Sequence, residues 1–121
     1  MSLSAIELKP FVPARDFALS RRFYADLGFV EASEVGGVAY FHHGDVSFLL
    51  QDFYVQALAE NLMLHLLVED VSAWHARLVA SDLAGRYGVK QSEIVQQPWR
   101  MRDFTLHDPS GVLWRIAENT S

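Results

Sequence analysis

The chain has 121 residues, half of them hydrophobic, with 15 Asp and Glu against 10 Lys and Arg and a formal net charge of −5. That size fits a single domain over residues 1–121 with its own core, the acidic balance argues against a nucleic-acid module, and the lack of cysteine excludes disulfides, thiolate metal ligands and a Cys nucleophile. No segment approaches the ~20 apolar residues needed to span a bilayer, and residues 1–10 lack the basic start and apolar run of a signal peptide, so the expected location is cytoplasmic.

Ile6, Leu8 and Val12 alternate with Glu7, Lys9 and Phe11, which predicts a first strand with one apolar and one mixed side. Pro10 and Pro13 confine it to an edge or a barrel rim. Asp16 is a candidate N-cap, and Phe17, Phe23, Tyr24 and Leu27 recur at helical spacing as far as Gly28, a good C-terminal stop. Strands follow over 29–34, 38–42 and 46–51, separated by Gly36-Gly37 and His43-Gly44 turns. A loop over 51–61 carries Phe53, Tyr54, Val55 and Leu58, a pattern suited to a lid or a partner contact.

The pattern then begins again. Leu62, Leu64, Leu66 and Val68 line one side of a strand, with Met63, His65 and Leu67 on the other. Asp70 or Ser72 caps a helix holding Val71, Trp74 and Leu78, which stops near Gly85 or Gly88. Strands over 93–97 and 102–107 precede Asp108-Pro109-Ser110-Gly111, a type I turn with a capping Asp and a Gly suited to positive φ. If Asp108 and Val112 bracket that loop, Leu106 pairs with Trp114, Thr105 with Arg115 and Phe104 with Ile116. Phe104, Leu106, Trp114 and Ile116 then form an apolar face, and Asp103, Thr105, His107, Leu113, Arg115 and Ala117 a mixed one. Both halves read β-α-β-β-β at a constant offset, Asp16 on Asp70 and Lys9 on Met63. A duplicated unit over about 5–51 and 62–118 is the simplest account.

With Val12-Pro13-Ala14-Arg15-Asp16, Arg22-Phe23-Tyr24-Ala25-Asp26-Leu27-Gly28-Phe29, Val68-Glu69-Asp70-Val71, and Arg102-Asp103-Phe104 leading into Asp108-Pro109-Ser110-Gly111-Val112-Leu113-Trp114, the chain resembles the glyoxalase, bleomycin resistance protein and extradiol dioxygenase superfamily, the vicinal oxygen chelate fold. The resemblance covers essentially the whole length. It implies an α+β fold of two βαβββ modules forming a half-open barrel, a ligand on the concave face and commonly a homodimer. It also implies, for catalytic members, a divalent metal held by a His or Gln on the first strand, a His on the first strand of the second module and a Glu on the last strand. Those positions fall here on Lys9, Met63 and Arg115, none a suitable ligand for a hard or borderline cation. The departure favours a binding protein over an enzyme, with no metal and no cofactor. The expected function is sequestration of an aromatic or amphipathic small molecule, after the manner of bleomycin resistance proteins.

The candidate ligand-binding residues are Lys9, Phe11, Phe48, Met63, His65, Trp99, Asp103 and Arg115. Arg115 either stitches the hairpin through its diagonal neighbour Asp103 or, with Lys9, meets an anionic group of the ligand; the two roles are compatible if part of the guanidinium stays free. His65 is a hydrogen-bonded wall residue or a functional group in the cleft. Trp99, which follows a proline in a loop, touches ligand or the partner subunit. A rival reading is a lyase, isomerase or dioxygenase whose metal sits elsewhere, through His65, Glu7 and Asp103. A third is a dimeric scaffold with no small-molecule function.

Overall fold

Asp16 and Asp70 each end an extended segment and start a helix for the same reason. In a computed structural model that describes residues 2–121, each carboxylate accepts a hydrogen bond from the backbone N–H three residues on, Leu19 at 3.1 Å and Ala73 at 3.0 Å, which satisfies an otherwise orphaned amide of the first turn. The helices that follow are α1 (Phe17–Leu27) and α3 (Val71–Ala80). Gly28, at φ 123°, ends the first and donates to the carbonyls of Tyr24 and Ala25. Two short helices, α2 (Gln56–Ala59) in the connection and α4 (Leu83–Tyr87) after α3, were not separated in the sequence reading.

Among the described residues eight strands form two four-stranded sheets of identical topology. The first contains β1 (Phe11–Pro13), β2 (Val30–Val35), β3 (Val38–His43) and β4 (Val46–Gln51), in the order β1-β4-β3-β2. The second contains β5 (Met63–Leu67), β6 (Val95–Gln97), β7 (Met101–His107) and β8 (Leu113–Asn119), in the order β5-β8-β7-β6. In each, the strand that opens the module pairs in parallel with the strand that closes it, so a βαβββ unit curls back onto itself twice. The sheets keep their own edges and do not close into one barrel.

The last hairpin has the expected register: His107 with Leu113, Leu106 with Trp114, Thr105 with Arg115, Phe104 with Ile116. Its turn is held by the Asp108 carboxylate, which accepts from the amides of Ser110 (2.8 Å) and Val112 (2.9 Å), while Gly111 sits at φ 94°. The apolar face is buried throughout, at Phe104, Leu106, Trp114 and Ile116. Trp114 reaches across into the first module, its ring 5.6 Å from Tyr24 and 5.5 Å from Phe48. Tyr24 in turn lies 4.7 Å from Phe48, so α1 covers the inner face of the first sheet. In the second module, His75 on α3 stands edge-on to Phe104 at 5.0 Å.

The first strand is shorter than expected. Only Phe11–Pro13 joins the sheet, at an edge as the two prolines required. Residues 6–10 lie outside any ladder, and Ile6 is 99% exposed. Pro10 has no N–H to give, and its carbonyl takes the Leu49 amide at 2.9 Å as the last backbone link to β4. Beyond it Glu7 is held by side chains alone, from Tyr40 (2.7 Å), Ser47 and Lys9.

Candidate functional site

Because side chains alternate along a strand, each sheet turns one face to its helix and leaves the other open. The open face of the first sheet carries Phe11, Tyr40, His42, Ser47 and Leu49, in register as Phe11 with Leu49, Tyr40 with Leu49 and His42 with Ser47. Lys9 lies beside it, 5.0 Å from the Tyr40 ring centre and 3.4 Å from Glu7. Hydrogen bonds from Ser47 and Tyr40 hold the Glu7 carboxyl below the ordinary carboxylate range, and Glu7 pushes the Tyr40 hydroxyl upward.

The open face of the second sheet is built from three aligned strands. Met63 stands beside Leu113, His65 beside Arg115, and Leu67 beside Ala117, while β7 adds Asp103, Thr105 and His107 along the other flank of β8. Arg115 Nη1 donates to Asp103 Oδ2 at 2.9 Å, and Gln97 Nε2 donates to Asp103 Oδ1, also at 2.9 Å. Asp103 is only 2% exposed, so its negative charge is compensated at both oxygens, as a buried carboxylate must be. The diagonal pairing of Arg115 with Asp103 follows directly from the hairpin register; the Gln97 contribution was missed, because the register of the short strand β6 is not fixed by any turn in the sequence.

The sequence-derived site residues therefore divide. Met63, His65, Asp103 and Arg115 share the open face of the second sheet; Phe11 lies on that of the first, with Lys9 next to it. Phe48 is 1% exposed and belongs to the helix-facing side of β4, where it lines the hollow between the modules; Tyr40, one strand over, stands on the open face. Trp99 lies in the β6–β7 turn, 58% exposed and next to Arg100, which takes φ 64°.

Between the modules is a hollow of about 590 Å³, within the range of small-molecule sites. Its apolar wall includes Ile6, Leu8, Phe29, Leu66 and Trp114, with Phe48 beneath, and its polar members are Glu7, Asp45, Ser47 and His65. Ile6 and Leu8 contribute here as parts of an arm rather than of a strand.

The three positions that would hold a metal carry an ammonium, a thioether and an ion-paired guanidinium, a donor set that does not fit a divalent cation. Among the described residues no three His, Asp or Glu side chains gather closely enough to hold a metal ion. Of His65, Glu7 and Asp103, the first two line the same hollow, but Asp103 does not join them: it is buried against Arg115 and Gln97, while Glu7 serves Tyr40 and Ser47.

No curated protein sequence matches the chain. Solved structures do. The bleomycin resistance determinant encoded on the transposon Tn5 superposes with a TM-score of 0.80 at 22% identity, over 95% of this chain and 98% of that one. The antibiotic-binding protein TnmS3 from Streptomyces sp. CB03234 gives 0.77 at 25%, over 99% of both chains. The lactoylglutathione lyase of Agrobacterium tumefaciens gives 0.70 at 16%, over 95% of both. Residues 7–116 match the family described as the Glyoxalase/Bleomycin resistance protein/Dioxygenase superfamily. Paired βαβββ modules of one topology and a match over nearly the whole chain lead to one conclusion: this protein belongs to that superfamily.

Proposed function

We propose that this chain is a metal-free, cytoplasmic small-molecule-binding protein, a single domain of two modules that works as a homodimer and sequesters an aromatic or amphipathic ligand between βαβββ modules. The observation that carries the reading is the state of the last-strand position. Arg115 stands where catalytic relatives place a metal-binding Glu, and it is fastened to the buried Asp103. A cation there would meet a fixed positive charge, so the face binds instead of activating. The likeness to the Tn5 bleomycin resistance determinant and to the antibiotic-binding TnmS3 supports this direction.

Self-association is supported by what the single chain leaves uncovered. Phe11, Met63, Leu67 and Trp99 are all about half exposed, and large apolar side chains left in water on the open faces of both sheets and in the β6–β7 turn suit an interface or a ligand groove. Module pairing across two copies would cover both open faces and enclose a cleft.

Two measurements test the reading. A thermal-shift screen with bleomycin, planar aromatics and thiol conjugates should find a ligand that raises stability by mass action, about 2.7 kcal/mol at one hundred times Kd. Metal analysis of untagged protein purified without chelator should show no bound divalent ion near one equivalent; finding one would overturn the proposal.

A further inference from the structure

The centre of the second sheet's open face is a single row across three strands: His65 on β5, Arg115 on β8 and Thr105 on β7 are direct register partners. All three carry hydrogen-bond donors. Above and below the row the face turns apolar, with Met63 and Leu113 on one side and Leu67 and Ala117 on the other. Arg115 is one-quarter exposed, enough to reach a ligand while its stem packs on the sheet.

The guanidinium is only half used. Asp103 occupies Nη1, and among the described residues no acceptor meets Nε or Nη2. Asp103 cannot swing to take more, because its second oxygen is held by Gln97 and the group is buried. The carboxylate thus orients the fork and leaves its other edge free. His65 and the Thr105 hydroxyl likewise have no hydrogen-bond partner among the described residues, although the Thr105 amide is taken by Ser92. A planar, two-oxygen anion is the group that fits such a donor edge.

Resting on the sequestration reading above, we infer that the ligand carries a carboxylate, or an anion of the same shape, seated on the free edge of Arg115 between His65 and Thr105, with its apolar body on Met63, Leu113 and Leu67. The net charge of −5 does not oppose this. Most of that charge lies more than a Debye length away, ~8 Å at physiological salt, and is screened, whereas Arg115 acts in direct contact. Of the acids that share the hollow with His65, Glu7 is already met by Lys9, Tyr40 and Ser47, and Asp45 stands opposite as the one uncompensated charge among the described lining residues. Asp103, the acid that the described strand residues put on this face, is already paired with Arg115 and Gln97.

Three probes that differ only in their polar group decide the matter: naphthalene-2-carboxylate, naphthalene-2-carboxamide and naphthalen-2-ylmethylammonium, each titrated calorimetrically into the full chain. The carboxylate should bind about tenfold more tightly than the amide. Arg115→Lys keeps a charge for Asp103 but removes the fork, so the ratio should fall to about threefold or less while the melting temperature stays near that of the parent. His65→Ala, at an exposed position, should lower the ratio in part. Equal binding of carboxylate and amide, or a preference that survives Arg115→Lys, overturns the anion site and leaves sequestration standing. Failure of all three probes to bind while a ligand of the thermal-shift screen still raises the melting temperature overturns the anion site alone; failure of the probes and of that screen overturns both.

Discussion

Replacing Tyr24 with Phe removes one oxygen from the centre of the molecule. That hydroxyl donates to Asp108 Oδ2 at 2.6 Å and accepts from Trp114 Nε1 at 2.9 Å, and Tyr24 itself is fully buried. Without it the indole N–H is left unpaired in the core, at a cost of about 1–2 kcal/mol, and a charge-assisted bond worth roughly 1.5 kcal/mol more is lost. The sum is about 3 kcal/mol. Unfolding entropy of ~2.1 cal/mol/K per residue gives about 250 cal/mol/K for this length, so the melting temperature should drop by about 12 °C. The effect should also depend on pH. Burial raises the Asp108 carboxyl above its ordinary value, and the Tyr24 hydroxyl and the Val112, Ser110 and Gly111 amides pull it back only in part. A carboxyl raised in the native state binds its proton more tightly there than in the unfolded chain, so stability is lost as pH rises through the window between the two values. Phe at 24 moves the native value further up, which widens that window. The deficit of the variant should therefore grow between acid and neutral pH. Circular dichroism melts at both ends of the range test this; a loss under about 3 °C at pH 7, or a deficit independent of pH, would refute the role given to the hydroxyl.

Asp16→Ala and Asp70→Ala should each cost ~1 kcal/mol, about 4 °C by the same conversion, since both caps make the same bond; unequal losses in calorimetry would show that the modules use them differently. Arg115→Met leaves the buried Asp103 with Gln97 alone and should cost about 2 kcal/mol, below the 3–5 kcal/mol of a fully buried pair because the arginine is partly exposed; the urea midpoint should fall with its slope unchanged. Trp99→Ala should alter stability by no more than ~0.5 kcal/mol but weaken dimerisation or ligand binding, so unchanged sedimentation together with unchanged calorimetry would remove Trp99 from both roles.

Legibility in the sequence followed local constraint. The hairpin of β7 and β8 was readable to the residue because Asp108-Pro109-Ser110-Gly111 fixes the turn and period-two alternation fixes the faces. The first helix start was readable from its capping Asp16, and the second to within Asp70 or Ser72, of which Asp70 makes the cap. The Arg115–Asp103 pair came with the register. What escaped was set by distant partners. Ile6 and Leu8 alternate like a strand, yet Pro10 and the lack of a ladder partner leave them in an arm. How Phe48 is reached was not readable either: the strand register of the first sheet turns it towards Tyr24, where it floors the hollow between the modules rather than standing on the open face. The Tyr24 hydroxyl bridge joins residues 84 and 90 positions apart, a separation no local pattern encodes.

The bonds that tie α1 to the final turn have a bearing on how the chain is made. Tyr24 to Asp108, Trp114 to Tyr24 and the Arg15 amide to the Ser110 hydroxyl close loops spanning 84, 90 and 95 residues. During synthesis the amino-terminal half emerges first, with its aromatic cluster short of the indole that fills it and its tyrosine lacking both polar neighbours. It cannot lock until the carboxyl-terminal hairpin has left the ribosome, so the early half waits in a loosened state and the two repeats acquire their rigidity together.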